Sequence, residues 1–209
     1  MATEDRTTEL ARKRYDRIAP LYDFMESMVE RFRFRRWRKM LWSRMEGTRI
    51  LEVGVGTGKN FPYYPRDAEI TAIDFSERML ARAHEKATKQ SARVHLQQMD
   101  VQHLVFEDNT FDTIAATFVF CSVPNPVGGL MEVARVCRPG GKVVLLEHVL
   151  SANHALAWVM NIANPLVVRI GGANMNRATV DNVVKSGLVL EKVTDLGVGI
   201  FKLIEARKC

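Results

Sequence analysis

Cysteine is scarce in this 209-residue chain: Cys121, Cys137 and Cys209 stand far apart, with no CxxC pair among them. That argues against a disulfide framework or a zinc knuckle and for a reducing compartment. The five histidines (84, 95, 103, 148 and 154) lack the HExxH spacing or any similar ligand pattern, so no metal site is expected. The opening "MATEDRTTEL" is acidic and polar, unlike a secretory leader. Long hydrophobic runs are missing as well. The most apolar late stretch, "ALAWVMNIANPLVVRIGG", is interrupted by Asn161, Asn164 and Pro165 and is too short to span a bilayer. No internal repeat or low-complexity linker is visible. A cytoplasmic protein, soluble or peripheral to a membrane, is expected.

What is present is enough apolar sequence for a proper core, 47% hydrophobic against 26% charged residues, in one domain with a terminal extension. The formal charge of +6 is unevenly spread: residues 1–49 hold 13 Lys/Arg against 8 Asp/Glu, and the remainder 17 against 16. Most of the excess belongs to "ERFRFRRWRKMLW", where Arg31 to Lys39 includes six basic residues interleaved with Phe32, Phe34 and Trp37. On a helical wheel Phe34, Trp37 and Leu41 share one stripe, and Met25, Met28, Val29 and Phe32 share another nearly opposite. Such a segment suits an interface with anionic lipid, one stripe on the protein and one in the headgroups, with arginines reaching phosphates. A helix buried on both stripes, with solvated arginines, is the competing reading.

Residues 1–46 read as helical with a break near Pro20. From residue 47 strands and helices alternate. "TRILEV" is a first strand, "AEITAID" a second, "RVHLQQMD" a third, "FDTIAATFVF" a fourth and "KVVLLEHVL" a fifth. Between them lie the helices "SERMLARAHEKATKQ", with Ser76 as N-cap, and "GGLMEVARVCRPGG", ended by Pro139 and glycines. "LVLEKVTDLG" and "IFKLIEARK" close the chain as an antiparallel pair. Segment 153–170 is apolar and helical, a second membrane contact or ordinary core. Alternation of this kind means βαβ crossovers and a mostly parallel sheet that binds ligands at the carboxyl ends of its strands. The division is a helical lid and membrane-contact segment over 1–46 and an α/β domain over 47–209.

"EVGVGTG" sets Gly54, Gly56 and Gly58 directly after the first strand, and Asp74 ends the second strand 20 residues after Gly54. Glycine lets a ligand approach the backbone, and a carboxylate at that distance suits ribose hydroxyls. The G-x-G-x-x-G expected for a pyrophosphate is absent. A nucleoside without a bridging pyrophosphate fits better.

"ILEVGVGTG", "AIDFS", "QMDVQHLVFEDNTFD" and "RPGGKVVLLEH", in this order, resemble the class I S-adenosylmethionine-dependent methyltransferases. The resemblance implies a Rossmann-like α/β fold with a seven-stranded, mostly parallel sheet whose last strand is antiparallel. It implies S-adenosylmethionine as cofactor and S-adenosylhomocysteine as product. Gly54, Gly56 and Gly58 would approach its methionyl part, with Glu52 nearby. Asp74 would hold the ribose, with Phe75, Ser76 and Met79 around the adenine side. Asp100 and Val101 would face the adenine amino group, and Thr117 and Phe118 the reaction centre.

"RYDRIAPLYD" (residues 14–23) resembles the opening of two groups, the quinone C-methyltransferases and the short bacterial phosphatidylethanolamine N-methyltransferases. The basic-aromatic segment, and "RPGGKVVLLEH" leading to "GANMNR", favour the second group. Strand four ends "FCSVPNP", without the Asn-Pro-Pro-Tyr-like tetrapeptide of nucleic-acid amino methyltransferases, so no nucleic-acid partner is expected. The implied substrate is a phospholipid amine, met by a monomer at the inner face of the cell membrane through residues 25–45. An amine must lose a proton before attack; Glu147 and His148, ending strand five, are candidates to take it. Tyr15 and Tyr22, on the lid, would face the cofactor and the growing cation. Arg177 would pair with the lipid phosphate. A quinone-precursor C-methyltransferase and a cofactor-binding membrane protein without turnover stay open as alternatives.

Overall fold

A computed structural model describes residues 7–17, 33–171, 174–197 and 199–209. Helix α1 covers residues 7–17 and α2 Arg35–Trp42. The strands are β1 Arg49–Val53, β2 Glu69–Asp74, β3 His95–Gln98, β4 Phe111–Thr117, β5 Cys137–His148, β6 Val189–Gly197 and β7 Phe201–Arg207. Between them run α3 Glu77–Gln90, α4 Pro126–Val136, α5 His154–Gly171 and α6 Thr179–Lys185. The sheet order is β3-β2-β1-β4-β5-β7-β6, with β7 antiparallel to both neighbours and the other pairings parallel. This is the expected Rossmann-like α/β fold of class I methyltransferases, with its terminal antiparallel strand. The region of Pro20, Tyr22 and the stripe Met25, Met28, Val29 and Phe32 lies outside the described residues.

Side-chain alternation along each strand divides the core. Leu51 and Val53 of β1, Ile114 and Ala116 of β4 and Val143 and Leu145 of β5 face α4 and α6. Ile50, Ala115, Val144 and Leu146 face α2. The stripe Trp37–Leu41, with Phe34 beside it, is therefore packed on the sheet, and Leu41 has no exposed surface. The other basic residues of α2, and Arg33 just before it, stay outside, but Arg38 is buried (5% exposed). It lies on the inward side of the helix, one residue after Trp37, and is removed from any surface contact.

Strands four and five differ from the sequence expectation. Strand four stops at Thr117, not Phe120, because Phe118 takes a left-handed backbone (φ 57°) that turns the chain off the sheet. Strand five begins already at Cys137: "RPGG" bulges between the Phe111–Cys137 and Thr113–Lys142 pairs, so Pro139 sits in a strand irregularity and not at a helix end. Helix α5, expected over 153–170, runs over His154–Gly171 with Pro165 inside it. Asn164 of α5 accepts the Met175 amide at 2.7 Å, so the polar residue that interrupts the apolar run fastens the following loop. Among the described residues no helix is long and apolar enough to cross a membrane.

Candidate active site

At the carboxyl ends of β1, β2 and β4 a cleft opens to solvent. Its floor is the glycine loop. Gly54 (φ 70°) leaves no room for a side chain, since a Cβ there would meet Val119 at 2.4 Å; at Gly56 (φ 54°) a Cβ would meet nothing within 4 Å, because that position faces the open cleft. The loop is fixed to the next strand: the Gly54 and Val55 amides donate to the Ile73 carbonyl, and the Gly56 amide to Asp74 Oδ2 at 2.8 Å. Asp74 Oδ1 accepts the Ser76 amide at 2.9 Å. Burial pushes the Asp74 carboxyl up to about 6, against the pull of these amides. Ser76 Oγ accepts the Met79 amide as the expected N-cap of α3 and does not itself line the cleft.

Phe75, Met79, Asp100 and Val101 line one end of the cleft, and Gly54, Thr117 and Phe118 the other. Helix α1 lies across the opening, reaching both rims. Tyr15 lines the cleft; its hydroxyl is 2.5 Å from Ser122 Oγ, and its ring meets Phe75 edge-on at 5.7 Å. Asp16 accepts the Ser76 hydroxyl at 2.5 Å. Gln102 donates to Thr8 Oγ1 at 3.1 Å and to Asp100, and accepts the Asn125 amide. Burial raises the Tyr15 phenol well above its ordinary value, so it stays protonated as a donor.

Glu52 and Gly58 lie beneath this surface. Strand alternation puts Glu52 on the α2 face, wholly buried, where Asn60 Nδ2 and the Tyr64 hydroxyl donate to its two oxygens. Burial raises Glu52 to about 7. Gly58 packs under the Phe61 ring.

Glu147 and His148 fall on opposite faces of β5, as consecutive strand residues must, and neither lines the cleft. Glu147 Oε1 accepts the Val119 and Phe120 amides at 2.9 and 3.1 Å, holding the turn that follows β4. Its Oε2 is buried with no hydrogen-bond partner among the described residues, and burial raises the carboxyl to about 7. His148 packs edge-on against Phe201 at 5.2 Å, and burial lowers its basicity, so the ring is neutral. Arg177 supports the same turn from outside, donating to the Val123 carbonyl at 3.0 Å. Tyr22 lies outside the described residues.

Sequence reading missed Thr8, Gln102 and Ser122 at the rim and the buried trio Arg38, Asn60 and Tyr64. Their signal is weak, since each sits in an ordinary loop or helix and is brought in only by folding. Thr8, Arg38, Gln102 and Ser122 stand within quoted segments, but nothing in those segments marks them out from their neighbours.

Residues 51–145 match the family described as "Methyltransferase domain". Over 130 residues the chain is 45% identical to the phosphatidylethanolamine N-methyltransferase of Cereibacter sphaeroides, covering 61% of this chain and 63% of that protein. It is 33% identical over 142 residues to the demethylmenaquinone methyltransferase of Lactiplantibacillus plantarum, covering 64% and 60%. The matches thus span under two thirds of either relative. Among solved structures, a methyltransferase from Thermotoga maritima superposes with a TM-score of 0.72 at 20% identity, covering 94% of this chain and 99% of that one. S-adenosylmethionine is the cofactor typical of this fold. The cleft fits it: a bare glycine backbone facing the open volume, a carboxylate at the end of β2, and an apolar wall of Phe75, Met79 and Val101. Over residues 51–145 the chain is similar to a methyltransferase domain, and its fold is that of the class I S-adenosylmethionine-dependent methyltransferases.

Proposed function

We propose that the protein is a phospholipid N-methyltransferase, acting as a monomer at the inner face of the cell membrane on phosphatidylethanolamine and its partly methylated forms. The bound cofactor supplies an electrophilic sulfonium methyl, and alignment of donor and acceptor provides most of the acceleration. Asp74 and the glycine loop hold the nucleoside. Helix α1 closes over it and excludes water. The Tyr15 and Ser122 hydroxyls, 2.5 Å apart at the rim, offer oxygens to an incoming ammonium. Glu147 is the buried carboxyl behind the rim, joined to it through the amide of the cleft-lining Val119. It serves as a proton sink behind the rim. Arg177 is the cation on offer to a lipid phosphate.

The observation that carries this reading is the outward chemistry of two helices. Arg33, Arg35, Arg36 and Lys39 are exposed around α2, whose apolar stripe is occupied by the sheet. On α5 Trp158, Val159 and Ile162 are 66%, 53% and 60% exposed, and α5 contains no acidic residue. An apolar face of that kind rarely stays bare in water, and a diacyl lipid leaves its bilayer only at about 0.8 kcal/mol per CH₂. An enzyme for its headgroup comes to the surface. The 45% identical relative, named for this activity, supports the reading.

A second reading, C-methylation of a quinone precursor, is supported by the quinone-pathway relative. Cofactor carrying a labelled methyl, offered with phosphatidylethanolamine vesicles and with a demethylated quinol, separates them. Label in the lipid fraction supports the proposal. Label in quinol supports the second reading, and label in neither, with the nucleoside still bound, points to a cofactor-binding protein without turnover.

A further inference from the structure

The turn after β4 brings Val119, Ser122, Val123 and Pro124 to the cleft, and it is held from two sides. Strand β5 holds its start: the Phe118 amide donates to the Leu146 carbonyl at 2.8 Å, and the Val119 and Phe120 amides to Glu147. The chain after α5 holds its end. There the Cys121 carbonyl accepts the Asn174 amide at 2.9 Å and Asn174 Nδ2 at 3.0 Å, and Arg177 donates to the Val123 carbonyl. Ser122, whose hydroxyl meets Tyr15, stands between these last two fastenings. The direction of the Asn174 fastening is fixed at both ends. The Met175 amide can only donate, and it donates to Asn164 Oδ1 at 2.7 Å. Asn164 therefore turns its Nδ2 to Asn174 Oδ1, at 3.3 Å. That leaves Asn174 Nδ2 facing the Cys121 carbonyl, which can only accept. No amide in the series can flip without setting like atoms together. Asn164 follows the buried Met160 by four residues, on the side of α5 away from the exposed Trp158 and Ile162.

We infer that Asn174 is a positioning residue for the roof of the cleft: through Cys121 it sets Ser122 where the Tyr15 hydroxyl reaches it, and so fixes how firmly α1 is held over a bound nucleoside. Asn174 does not itself line the cleft. It acts at one remove, and Asn164 acts on it at a second. The inference rests on the reading that α1 covers the nucleoside, and is independent of which acceptor is methylated.

Stopped-flow displacement of S-adenosylhomocysteine reads that hold. Asn174→Asp keeps the side chain's shape and its bond from Asn164, but sets a carboxylate oxygen against the Cys121 carbonyl. It is expected to speed dissociation about 2- to 10-fold. Asn164→Asp leaves the rim untouched and the Met175 bond intact, yet turns the Asn174 amide round, and is expected to act in the same direction. Both effects should vanish in Tyr15→Phe, which has no hydroxyl left to lose, and persist in Asp16→Ala, whose bond to Ser76 lies at the other rim. If Tyr15→Phe alone leaves the rate unchanged, α1 is no cover and the inference falls with it. If the rate responds to Tyr15→Phe but to neither asparagine variant, the cover stands and the role of Asn174 is overturned. An effect of Asn174→Asp that is equal with and without the Tyr15 hydroxyl would overturn it as well. Should Asn174→Asp not fold, Asn164→Asp decides by the same comparison.

Discussion

Asp16 and Ser76 meet across 60 residues of chain, the serine hydroxyl donating to the Asp16 carboxylate at 2.5 Å. The same Ser76 caps α3 through the Met79 amide, and its own amide donates to Asp74. One small side chain therefore ties the helix that roofs the cleft to the acid on its floor. With Tyr15 on Ser122 and Gln102 on Thr8, α1 is strapped to both rims, so nucleoside exchange requires these bonds to break.

Loosening that strap should speed exchange before it damages the fold. A hydrogen bond contributes about 0.5–1.5 kcal/mol, and one to a charged group about 1.5–3. Tyr15→Phe is expected to raise the dissociation rate of S-adenosylhomocysteine about 2- to 10-fold, and Asp16→Ala about 10-fold or more. Stopped-flow displacement measures both. Unchanged rates would mean that α1 does not cover the bound nucleoside.

The exposed cations around α2 should govern membrane attachment. Each Lys or Arg near an anionic surface contributes about 1 kcal/mol, so Arg33→Glu, Arg35→Glu and Arg36→Glu together are expected to weaken binding to phosphatidylglycerol-containing vesicles by roughly 100-fold or more. Trp158→Ser should weaken it through α5 with little dependence on salt. S-adenosylhomocysteine affinity should hold in both variants, and vesicle co-sedimentation beside calorimetry makes the comparison. Unaltered sedimentation of both would remove the membrane from the proposal.

Glu147 makes the protein's stability depend on pH with a definite sign. Its carboxyl is raised by burial from an ordinary 4.5 to about 7 in the folded chain. The stability it contributes is thus complete below about 4.5 and is lost as pH rises through about 7. At 1.36 kcal/mol per unit the loss is on the order of 3 kcal/mol. Glu147→Gln keeps an oxygen for the Val119 and Phe120 amides and removes the titration. It is expected to flatten the decline in melting temperature between pH 5 and 8 and to raise the melting point at pH 8 by several degrees. An unchanged slope would show that Glu147 ionises in the fold as it does in water.

The parallel sheet, the glycine loop and its acid were legible because each rests on local sequence: strand-period runs, helix caps, and glycines where a backbone must turn and lie bare. The Ser76 cap is a case in point. Side-chain partners across the fold were not. Arg38 reads as one more exposed arginine until the pitch of α2, set by Trp37 and Leu41 on the sheet, turns it inward to Asn60. Glu147 and His148 read as a pair at a strand end, yet strand alternation sends them to opposite faces, and Glu147 is occupied by backbone amides of the turn that Phe118 creates. The asparagines of α5 read only as interruptions of an apolar run, and their partners come from the chain that follows: Asn164 accepts the Met175 amide.

Calorimetric titration of S-adenosylhomocysteine into the unsubstituted protein and Asp74→Asn is the most direct test of a nucleoside cofactor seated on the glycine loop. Asp74→Asn retains an oxygen for one backbone amide but loses the charge that two ribose hydroxyls would share. Saturable binding that weakens about 30-fold or more in the variant is expected, with unfolding still cooperative. No heat of binding in the unsubstituted protein, or equal affinity in the two, would contradict it.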